Sequence, residues 1–342
     1  MRGQQIHFIL MMFTTVSIFV VAVVPVAAAD RPHVATIIDL GAVLEGSDGG
    51  ALGINSRGEV VGAVVAPNGN HEAFLYFRGV ETNLGTLGGG ASVAFGINQR
   101  GHVVGAAALP TGASHAFLYA GGTMHDLGTL GGSGSGGYAI NGGDEVVGFS
   151  SLAGDQEYHP CLWANGQIRE LGSFGGNGMA RGINNRGQIV GFSFLAGNQT
   201  YHAFVYQHGM MSDLGTLGGI FSWARAINNQ GKIVGFADPG DGTVHAFLYS
   251  HGVMNDLGTF GYTGSDAYAI NDLDQVVGTV RQASGDTLAF LFERGEGILL
   301  NSLLSVDSGW NLTGAFGINN SGVIVGIGYH NGALRAYVLT PP

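Results

Sequence analysis

The chain is poor in cysteine, in lysine and in charged side chains generally. Its 342 residues include one cysteine, Cys161, so neither an intrachain disulfide nor a thiolate metal cluster can hold the fold together. Lys232 is the single lysine, and 13 basic residues face 24 acidic ones, which gives a formal net charge of −11. This acidic balance disfavours a nucleic-acid partner, and it means that any site for an anion must be local.

Two further absences narrow the functional classes. No segment has the length and periodicity of an amphipathic helix, and neither a G-x-S-x-G elbow nor an H-E-x-x-H helix occurs. The recurrent G-T-L-G-G lacks the Lys-Ser/Thr of a phosphate loop and precedes a strand, so it indicates a turn. We therefore expect no cofactor and no resident metal, and we assign no catalytic residue.

The N-terminal segment, residues 1–29, has the pattern of a secretory signal peptide. Arg2 precedes an apolar run over residues 8–24, and the small residues Ala27 to Ala29 stand directly before Asp30. A retained membrane anchor is the alternative, because the run is nearly long enough to span a bilayer. Cleavage predicts a mature chain, residues 30–342, that is secreted or extracytoplasmic and is not held at a membrane.

Glycine, by contrast, is abundant, with 62 residues that recur in register. They belong to one motif that is repeated seven times, roughly A-x-G-I-N-x-x-G-x-V-V-G followed by H-A-F-L-Y and D-L-G-T-L-G-G. The motif is anchored by asparagines that lie 43 to 48 residues apart, namely Asn55, Asn98, Asn141, Asn184, Asn228, Asn271 and Asn319. A period of this size is typical of a solenoid, a propeller or another repeat array.

Each repeat contains four short strands bounded by Gly, Asn or Asp. In the second repeat the strands are expected over residues 93–98, 102–107, 115–120 and 123–127. Between the first two strands, Asn-x-x-Gly predicts a tight hairpin with a positive φ at the glycine, and Asp144 and Asp274 replace that glycine in two repeats. Four strands in about 43 residues match one blade of a β-propeller.

The two ends of the chain complement each other. The seventh repeat stops after three strands, and an unmatched strand of the fourth type, Thr36 to Leu40, precedes the first repeat. Pairing of residues 36–40 with residues 335–339 would complete a seventh blade and remove an exposed sheet edge. We therefore predict an all-β, seven-bladed β-propeller with four antiparallel strands per blade, closed by the N-terminal strand, as a single domain over residues 30–342.

Three repeats carry His-Ala-Phe with Asp-Leu-Gly-Thr-(Leu/Phe)-Gly downstream, at residues 115–117, 202–204 and 245–247. In these motifs, and over nearly all of residues 30–342, the chain resembles the HAF family of probable extracellular repeats. The resemblance implies bacterial secretion and a repeat fold, with no catalytic residue to carry over. The third repeat departs from it with His159-Pro160-Cys161, and the last two have Leu288 and Leu334 in place of the histidine.

The repeated histidines and carboxylates suggest metal or acid–base chemistry. Equivalent points on a ring, however, lie too far apart to share one ion. We interpret the histidines as packing residues bonded to nearby backbone between blades, and the acidic residues of the fourth strand as acceptors for backbone amides at the next turn. The histidines are His71, His115, His159, His202 and His245, and the acidic residues include Asp39, Asp126, Asp213 and Asp256.

Function is expected where the repeat varies. The second position of A-x-(G/A)-I-N reads, around the ring, Leu52, Phe95, Tyr138, Arg181, Arg225, Tyr268 and Phe316. The two arginines fall in adjacent blades, within joint reach of one carboxylate, sulfate or phosphate group. Together with Tyr138, Tyr268 and Trp223, which is expected just before its strand, they predict a sugar-acid or anion pocket at the channel mouth. The alternative is that this position only packs between blades, with the arginine heads in water.

The leading hypothesis is a secreted, monomeric module that binds an extracellular glycan or protein at the end bearing the two arginines. A polysaccharide lyase or hydrolase is the runner-up, with Tyr138, Tyr268 and Asp266 as candidate acid and base groups. A purely structural envelope or matrix repeat is the third hypothesis. The extra residues around 302–310 in the last repeat are either a further site or a closure plug, and fold alone does not choose between these functions.

Overall fold

The computed structural model describes residues 34–43, 49–66 and 69–342, which form 28 β-strands and one short 3-10 helix. The strands make seven four-stranded antiparallel sheets. The predicted all-β, seven-bladed propeller is therefore confirmed, including its closure by the N-terminal strand. The predicted signal peptide, residues 1–29, lies outside the described residues.

The blades follow one another along the chain, and the sheets of blades 1 to 6 run in sequence order from the channel to the rim. Blade 1 contains β2 (Gly50–Ile54), β3 (Val60–Val65), β4 (His71–Phe77) and β5 (Val80–Gly85). Blade 2 contains β6 (Ser92–Ile97), β7 (Val103–Ala108), β8 (Ser114–Ala120) and β9 (Thr123–Asp126). Blade 3 contains β10 (Gly131–Ile140), β11 (Val146–Leu152), β12 (Tyr158–Ala164) and β13 (Gln167–Glu170). Blade 4 contains β14 (Gly175–Ile183), β15 (Ile189–Leu195), β16 (Tyr201–Gln207) and β17 (Met210–Asp213).

The remaining blades keep this order until the last one. Blade 5 contains β18 (Ser222–Ile227), β19 (Ile233–Ala237), β20 (His245–Ser250) and β21 (Val253–Gly258). Blade 6 contains β22 (Gly264–Ile270), β23 (Val276–Arg281), β24 (Thr287–Glu293) and β25 (Glu296–Leu299). Blade 7 contains β26 (Trp310–Ile318), β27 (Ile324–His330), β28 (Ala333–Thr340) and, at the rim, β1 (Thr36–Ala42).

The hairpin between the first two strands of each blade has the predicted backbone. Gly101 and Gly187 have φ angles of +81° and +73°, and the replacements Asp144 and Asp274 both have +63°. These angles lie in the left-handed region that glycine adopts without cost and that aspartate tolerates. The exceptions to the glycine pattern therefore keep the same turn.

The glycine of the V-V-G segment has a different role, because it lies where two strands approach closely. A Cβ atom on Gly148 would lie 1.8 Å from the carbonyl oxygen of Gly136, and one on Gly191 would lie 2.0 Å from that of Met179. No side chain fits at such distances. Glycine is therefore required in the second strand of each blade for a steric reason.

The hydrophobic cores lie between neighbouring blades. Five phenylalanines of the H-A-F position are almost completely buried, namely Phe74, Phe117, Phe204, Phe247 and Phe290. Cys161 and Tyr337 occupy this position in blades 3 and 7 and are buried as well. Burial of one such phenylalanine contributes roughly 1.5–3 kcal/mol. This repeated packing holds the ring together without a disulfide.

Both termini build blade 7. Strand β1 pairs with β28 in the register Thr36↔Thr340 to Ala42↔Arg335, with an irregularity between Asp39 and Gly41. The extra residues of the last repeat begin with a 3-10 helix, Leu300–Leu303. The carbonyl oxygen of Leu303 accepts a hydrogen bond of 2.8 Å from the Ala35 backbone amide. The insertion therefore fixes the start of the closing strand, which favours its interpretation as a closure element.

A ring of hydrogen bonds between the anchor asparagines joins all seven blades. Each side-chain Nδ2 donates to the backbone carbonyl of the next anchor asparagine at 2.9 to 3.3 Å, and Asn319 closes the ring by donating to Asn55 at 3.1 Å. The Oδ1 atom accepts backbone amides of its own turn, for example from Arg186 and Gln188 to Asn184 at 3.0 Å. An amide side chain is needed because it both donates and accepts.

Residues 34–43, 49–66 and 69–342 contain no helix of the length and apolarity that crossing a membrane requires.

Two aspartates link neighbouring blades in their charged form. Burial alone would raise the pKa of Asp144, but hydrogen bonds from His102 and Asn98 of blade 2 outweigh it and lower the pKa. Burial is likewise outweighed at Asp272, where hydrogen bonds from Asn229 and Asn320 of the two adjacent blades lower the pKa. Protonation of either carboxyl group removes acceptors from an interface between blades.

Acid is therefore expected to destabilise the ring. Because the two pKa values are lower in the folded than in the unfolded chain, their stabilising contribution is present above the ordinary value of 3.8 and is lost as the pH falls through the lowered value. We expect the free energy of unfolding, measured in urea, to decline below about pH 4. The Asp144→Asn/Asp272→Asn double variant should lose less stability over this interval, and an equal loss in both proteins would contradict these assignments.

Candidate functional site

The position singled out by its variation lines one cavity at one end of the channel. The cavity has a volume of about 360 Å³, and its lining contains all seven side chains of that position together with Gly49 and Ile327. We call it the arginine cavity. Its lining residues from the seven blades are Leu52, Phe95, Tyr138, Arg181, Arg225, Tyr268 and Phe316.

A β-bulge in the innermost strand of every blade explains why this position faces the channel. In blade 5 the pairing of β18 with β19 shifts between Ala224 and Ala226, so Arg225 is the extra residue without a partner. The same shift occurs in blade 4 between Ala180 and Gly182, at Arg181. A bulge re-aims a side chain, and bulges are frequent next to functional sites. The bulge therefore frees this position from the ladder in each blade.

Arg225 is neutralised by a carboxylate of the next blade. Its Nε lies 2.8 Å from Oδ1 of Asp266 and its NH2 group lies 2.6 Å from Oδ2, a two-pronged ion pair. Burial alone would lower the pKa of Arg225, but Asp266 outweighs it and the pKa is raised. The guanidinium also lies 4.2 Å from the ring centroid of Tyr268. Arg225 is thus a fixed and fully paired cation.

Arg181 has no such partner. In the part of the chain that the structure describes, no carboxylate lies within ion-pair distance of its guanidinium, which instead lies 3.9 Å from the ring centroid of Tyr138. Burial lowers the pKa of Arg181, Tyr138 opposes this, and the like charge of Arg225 adds to the lowering. A buried cation is costly unless it is paired. Arg181 is therefore the uncompensated charge of the cavity.

This arrangement changes the predicted pocket. The sequence suggested that both arginines share one anion, but Asp266 already occupies the donors of Arg225. One net positive charge remains in the trio of Arg181, Arg225 and Asp266, and it lies on the side of Arg181. From the sequence, Asp266 was a candidate only in the enzyme alternative, and its pairing with Arg225 was not predicted. Asp266 occupies the position that Trp223 occupies in the preceding blade. This change from an aromatic residue to a carboxylate is visible in the sequence.

Aromatic rings form the walls beside the two arginines. The ring of Tyr138 lies 5.0 Å from that of Phe95, and the ring of Tyr268 lies 5.1 Å from that of Phe316. Burial raises the pKa of Tyr268, and the Asp266 carboxylate adds to this effect. The Tyr268 phenol is therefore neutral at neutral pH, and its hydroxyl group donates a hydrogen bond to Asp266.

Trp223 does not have the predicted place. It lies within β18 and not before it, and it is not among the described residues that line the arginine cavity. Its ring is 3.8 Å from that of Phe192 and 5.7 Å from that of Phe236. The tryptophan therefore supports Arg225 from behind, 5.3 Å from its guanidinium, and forms no wall of the cavity.

The repeated histidines bond to carboxylates and not to backbone. His115, His202 and His245 each place Nδ1 within 2.7 to 2.9 Å of the aspartate eleven residues later, in the same blade. The predicted backbone partner between blades is therefore wrong for these three. The aspartates do accept the predicted backbone amide two residues on, as in Gly128 to Asp126 at 2.8 Å. Over the described ranges no three His, Cys, Asp or Glu side chains are grouped to hold a metal ion.

Models of known families and curated proteins give no match to the chain, so the resemblance to the HAF repeats stays a prediction. Solved structures do match. A puromycin-hydrolyzing peptidase from Mycobacterium tuberculosis is 12% identical, with a TM-score of 0.56 over 85% of this chain and 51% of the peptidase. YCF48 bound to D1 peptide is 10% identical, with a TM-score of 0.51 over 91% of this chain and 96% of that chain.

TolB from Acinetobacter baumannii is 11% identical, with a TM-score of 0.48 over 82% of this chain and 63% of TolB. The chain thus spans about half the length of the peptidase and less than two thirds of TolB. Identities this low are informative about the fold alone. By fold, and by fold only, the chain is similar to these β-propeller structures.

Proposed function

We propose that the protein is an extracytoplasmic ligand-binding module whose arginine cavity binds the acidic group of a carbohydrate. The observation that carries the proposal is the contrast between the two arginines. Arg225 has a carboxylate partner within the protein, whereas Arg181, which is also partly buried, has none among the described residues. A ligand carboxylate or sulfate would supply the missing partner, and a guanidinium binds such groups through two parallel hydrogen bonds.

The walls of the cavity favour a sugar as the carrier of that anion. Phe95, Tyr138, Tyr268 and Phe316 offer flat apolar faces with phenol hydroxyls, and the volume of about 360 Å³ suits a small molecule. The whole chain carries a net negative charge, so it does not attract anions over a long range. The positively charged cavity would therefore select an anion through direct contacts. Secretion, which residues 1–29 predict, would expose the cavity to extracellular glycans.

The enzyme alternative receives no specific support. Asp266 is its candidate carboxylate, and the two hydrogen bonds from Arg225 occupy both of its oxygens. A general base must be free to reach the proton that it removes. A protein ligand and a purely structural role remain as outcomes of the test below.

Residues 30–342 should be screened on an array of acidic and neutral glycans, with Arg181→Met beside the wild type. We expect acidic glycans to bind the wild type and to lose at least about tenfold in affinity in the variant, because a charged hydrogen-bonded pair is removed. Arg186→Met is the matched control, since Arg186 is exposed in the turn that follows the same strand. Failure of every acidic glycan to bind, or equal binding by Arg181→Met, would overturn the proposal.

A further inference from the structure

The blade 6 side of the arginine cavity lacks the large side chains that fill the equivalent space in blades 4 and 5. Two positions face each other across the first two strands of a blade, and in blades 4 and 5 they are Met179 with Phe192 and Trp223 with Phe236. In blade 6 the corresponding pair is Asp266 with Thr279. In blade 7 it is Gly314 with Ile327. The bulky pair of blades 4 and 5 is thus replaced by two polar side chains in blade 6, while blade 7 keeps Ile327 opposite a glycine. Blades 1 and 2 also carry small residues here, Gly50 with Ala63 and Val93 with Ala106.

A second cavity occupies the space that these replacements leave. It has a volume of about 390 Å³, is lined by Asp266 and Thr279 among others, and shares Arg225, Tyr268, Phe316 and Ile327 with the arginine cavity. A third cavity of about 610 Å³ continues outward and shares Thr287, Thr313 and Ile327 with the second. The three cavities are therefore neighbours that share walls. We call the second and third cavities together the blade 6–7 groove.

The lining of the groove has no net charge and combines hydroxyl groups with apolar side chains such as Phe236, Val244 and Ile327. Thr279 and Thr287 are partly exposed, and their hydroxyls have no hydrogen-bond partner within the described ranges. Further out, Gln282, Asn311 and Tyr329 add amide and phenol groups. The charged side chains Arg281 and Asp286 both line the groove and offset each other. Such a surface suits a chain of hydroxyl groups, each of which both donates and accepts.

The groove also lies where the sequence departs from its own repeat. In blade 6 leucine replaces the repeated histidine, at Leu288. In blade 7 the strand register places Arg335 at the equivalent position, so the prediction of Leu334 is wrong. Arg335 keeps a charged pair there, with its Nε 2.9 Å from Oδ1 of Asp39. The charged pair of the repeat is therefore lost in blade 6 and kept in blade 7.

We infer that the ligand is a linear acidic oligosaccharide, with its acidic end unit at Arg181 and its following units in the blade 6–7 groove. This inference rests on the proposed function of the arginine cavity. The direction follows from the position of the unpaired cation: Arg181 lines the arginine cavity but not the groove, whereas Asp266 in the groove is paired with Arg225. Each cavity has the size of a small-molecule site, and the three together exceed what one sugar ring fills.

The test is a length series of defined probes on residues 30–342. Binding of glucuronate, and of disaccharides and trisaccharides in which one terminal glucuronate is followed by neutral glucose units, is measured for the wild type, Thr279→Phe and Thr279→Val. Thr279→Phe restores the side chain that blades 3, 4 and 5 carry at this position, so it fills the groove with a residue that the fold already accommodates. Thr279→Val keeps the volume and removes only the hydroxyl.

We expect wild-type affinity to rise at least about tenfold from monosaccharide to trisaccharide, because added units gain hydrogen bonds in the groove. Thr279→Phe should bind the monosaccharide as the wild type does but lose the gain with length, and Thr279→Val should keep most of it. Wild-type affinity that does not depend on ligand length would contradict binding in the groove. Loss of monosaccharide binding in Arg181→Met would, in that case, still support binding in the arginine cavity. Absence of binding at every length would overturn both.

Discussion

A chain that begins at Gly49 is expected to lose cooperative folding. It lacks β1, which pairs with β28 over the whole length of the closing strand. It also lacks the buried side chains of Leu40 and Val43, which pack with Val325 and Val338 in one core cluster. Burial of each such side chain contributes about 1.5–3 kcal/mol, and the backbone pairing adds to this. The sum is comparable with the whole stability of a domain, about 5–15 kcal/mol.

The matched control is a chain that begins at Asp30, which lacks the predicted signal peptide and keeps β1. Urea unfolding followed by circular dichroism and tryptophan fluorescence should show one steep transition for the control and a broad transition, or aggregation, for the chain from Gly49. Addition of a synthetic peptide of residues 34–43 should restore part of the transition, since an added strand can complete an open sheet edge. A truncated chain as stable as the control would contradict closure by this strand.

Arg225→Met and Arg181→Met are expected to act in opposite ways on stability, although both remove an arginine from the same cavity. Arg225→Met leaves Asp266 partly buried without a counter-charge, which should lower the free energy of unfolding by about 2–4 kcal/mol. Arg181→Met removes an uncompensated cation and keeps most of its apolar stem. It should leave stability unchanged or raise it by up to about 1 kcal/mol.

Urea unfolding of the two variants at pH 7 measures the difference directly. The double variant Arg225→Met/Asp266→Asn should recover part of the loss, because the unpaired carboxylate is then absent. Equal destabilisation by both single variants would mean that Arg181 has a partner in solution and would remove the main argument for an anion site. For the same reason a variant of both arginines together is a poor probe of binding, since its effects on the ligand and on the fold are mixed.

Much of the fold could be predicted from the sequence because each signal was repeated seven times. The blade size follows from the spacing of Asn55, Asn98 and their equivalents, and the turn follows from Asn-x-x-Gly. The unmatched strand of the fourth type, Thr36 to Leu40, predicted closure of the ring, because the last repeat has three strands and lacks the fourth. Strand ends were predicted to within a few residues, as in blade 2, where residues 93–98 were expected and Ser92–Ile97 are observed.

The interactions within the site could not be predicted from the sequence to the same extent. Variation at one repeat position identified the residues that line the cavity, but the β-bulge that aims them into the channel leaves no mark of its own in the pattern. The pair of Arg225 and Asp266 joins two blades and is 41 residues apart, so no local spacing predicts it. The bond of His115 to Asp126 crosses two paired strands, and a backbone partner was expected instead. The blade 6–7 groove exists because some side chains in its walls are small. The space that they leave is visible only once the strands are packed together.

The anchor asparagines gave a strong sequence signal, but their structural role was not predicted from it. Asparagine at all seven positions set the period and predicted the turn, but it did not predict contacts between blades. The structure shows that the side chain connects each turn to the next blade, from Asn55 round to Asn319. A fixed residue that both donates and accepts, repeated at every turn, is the pattern that could have predicted this ring.

The most direct test of the account is the effect of small acidic sugars on the thermal midpoint of residues 30–342, with the wild type and Arg181→Met compared at constant ionic strength. Galacturonate, glucuronate, mannuronate and N-acetylneuraminate are titrated against chloride. At least one should stabilise the wild type, by about 2.7 kcal/mol at 100 times its dissociation constant, and leave Arg181→Met unaffected. If no acidic sugar shifts the midpoint of the wild type by more than it shifts that of the variant, Arg181 is not a ligand-binding residue and the central claim is wrong.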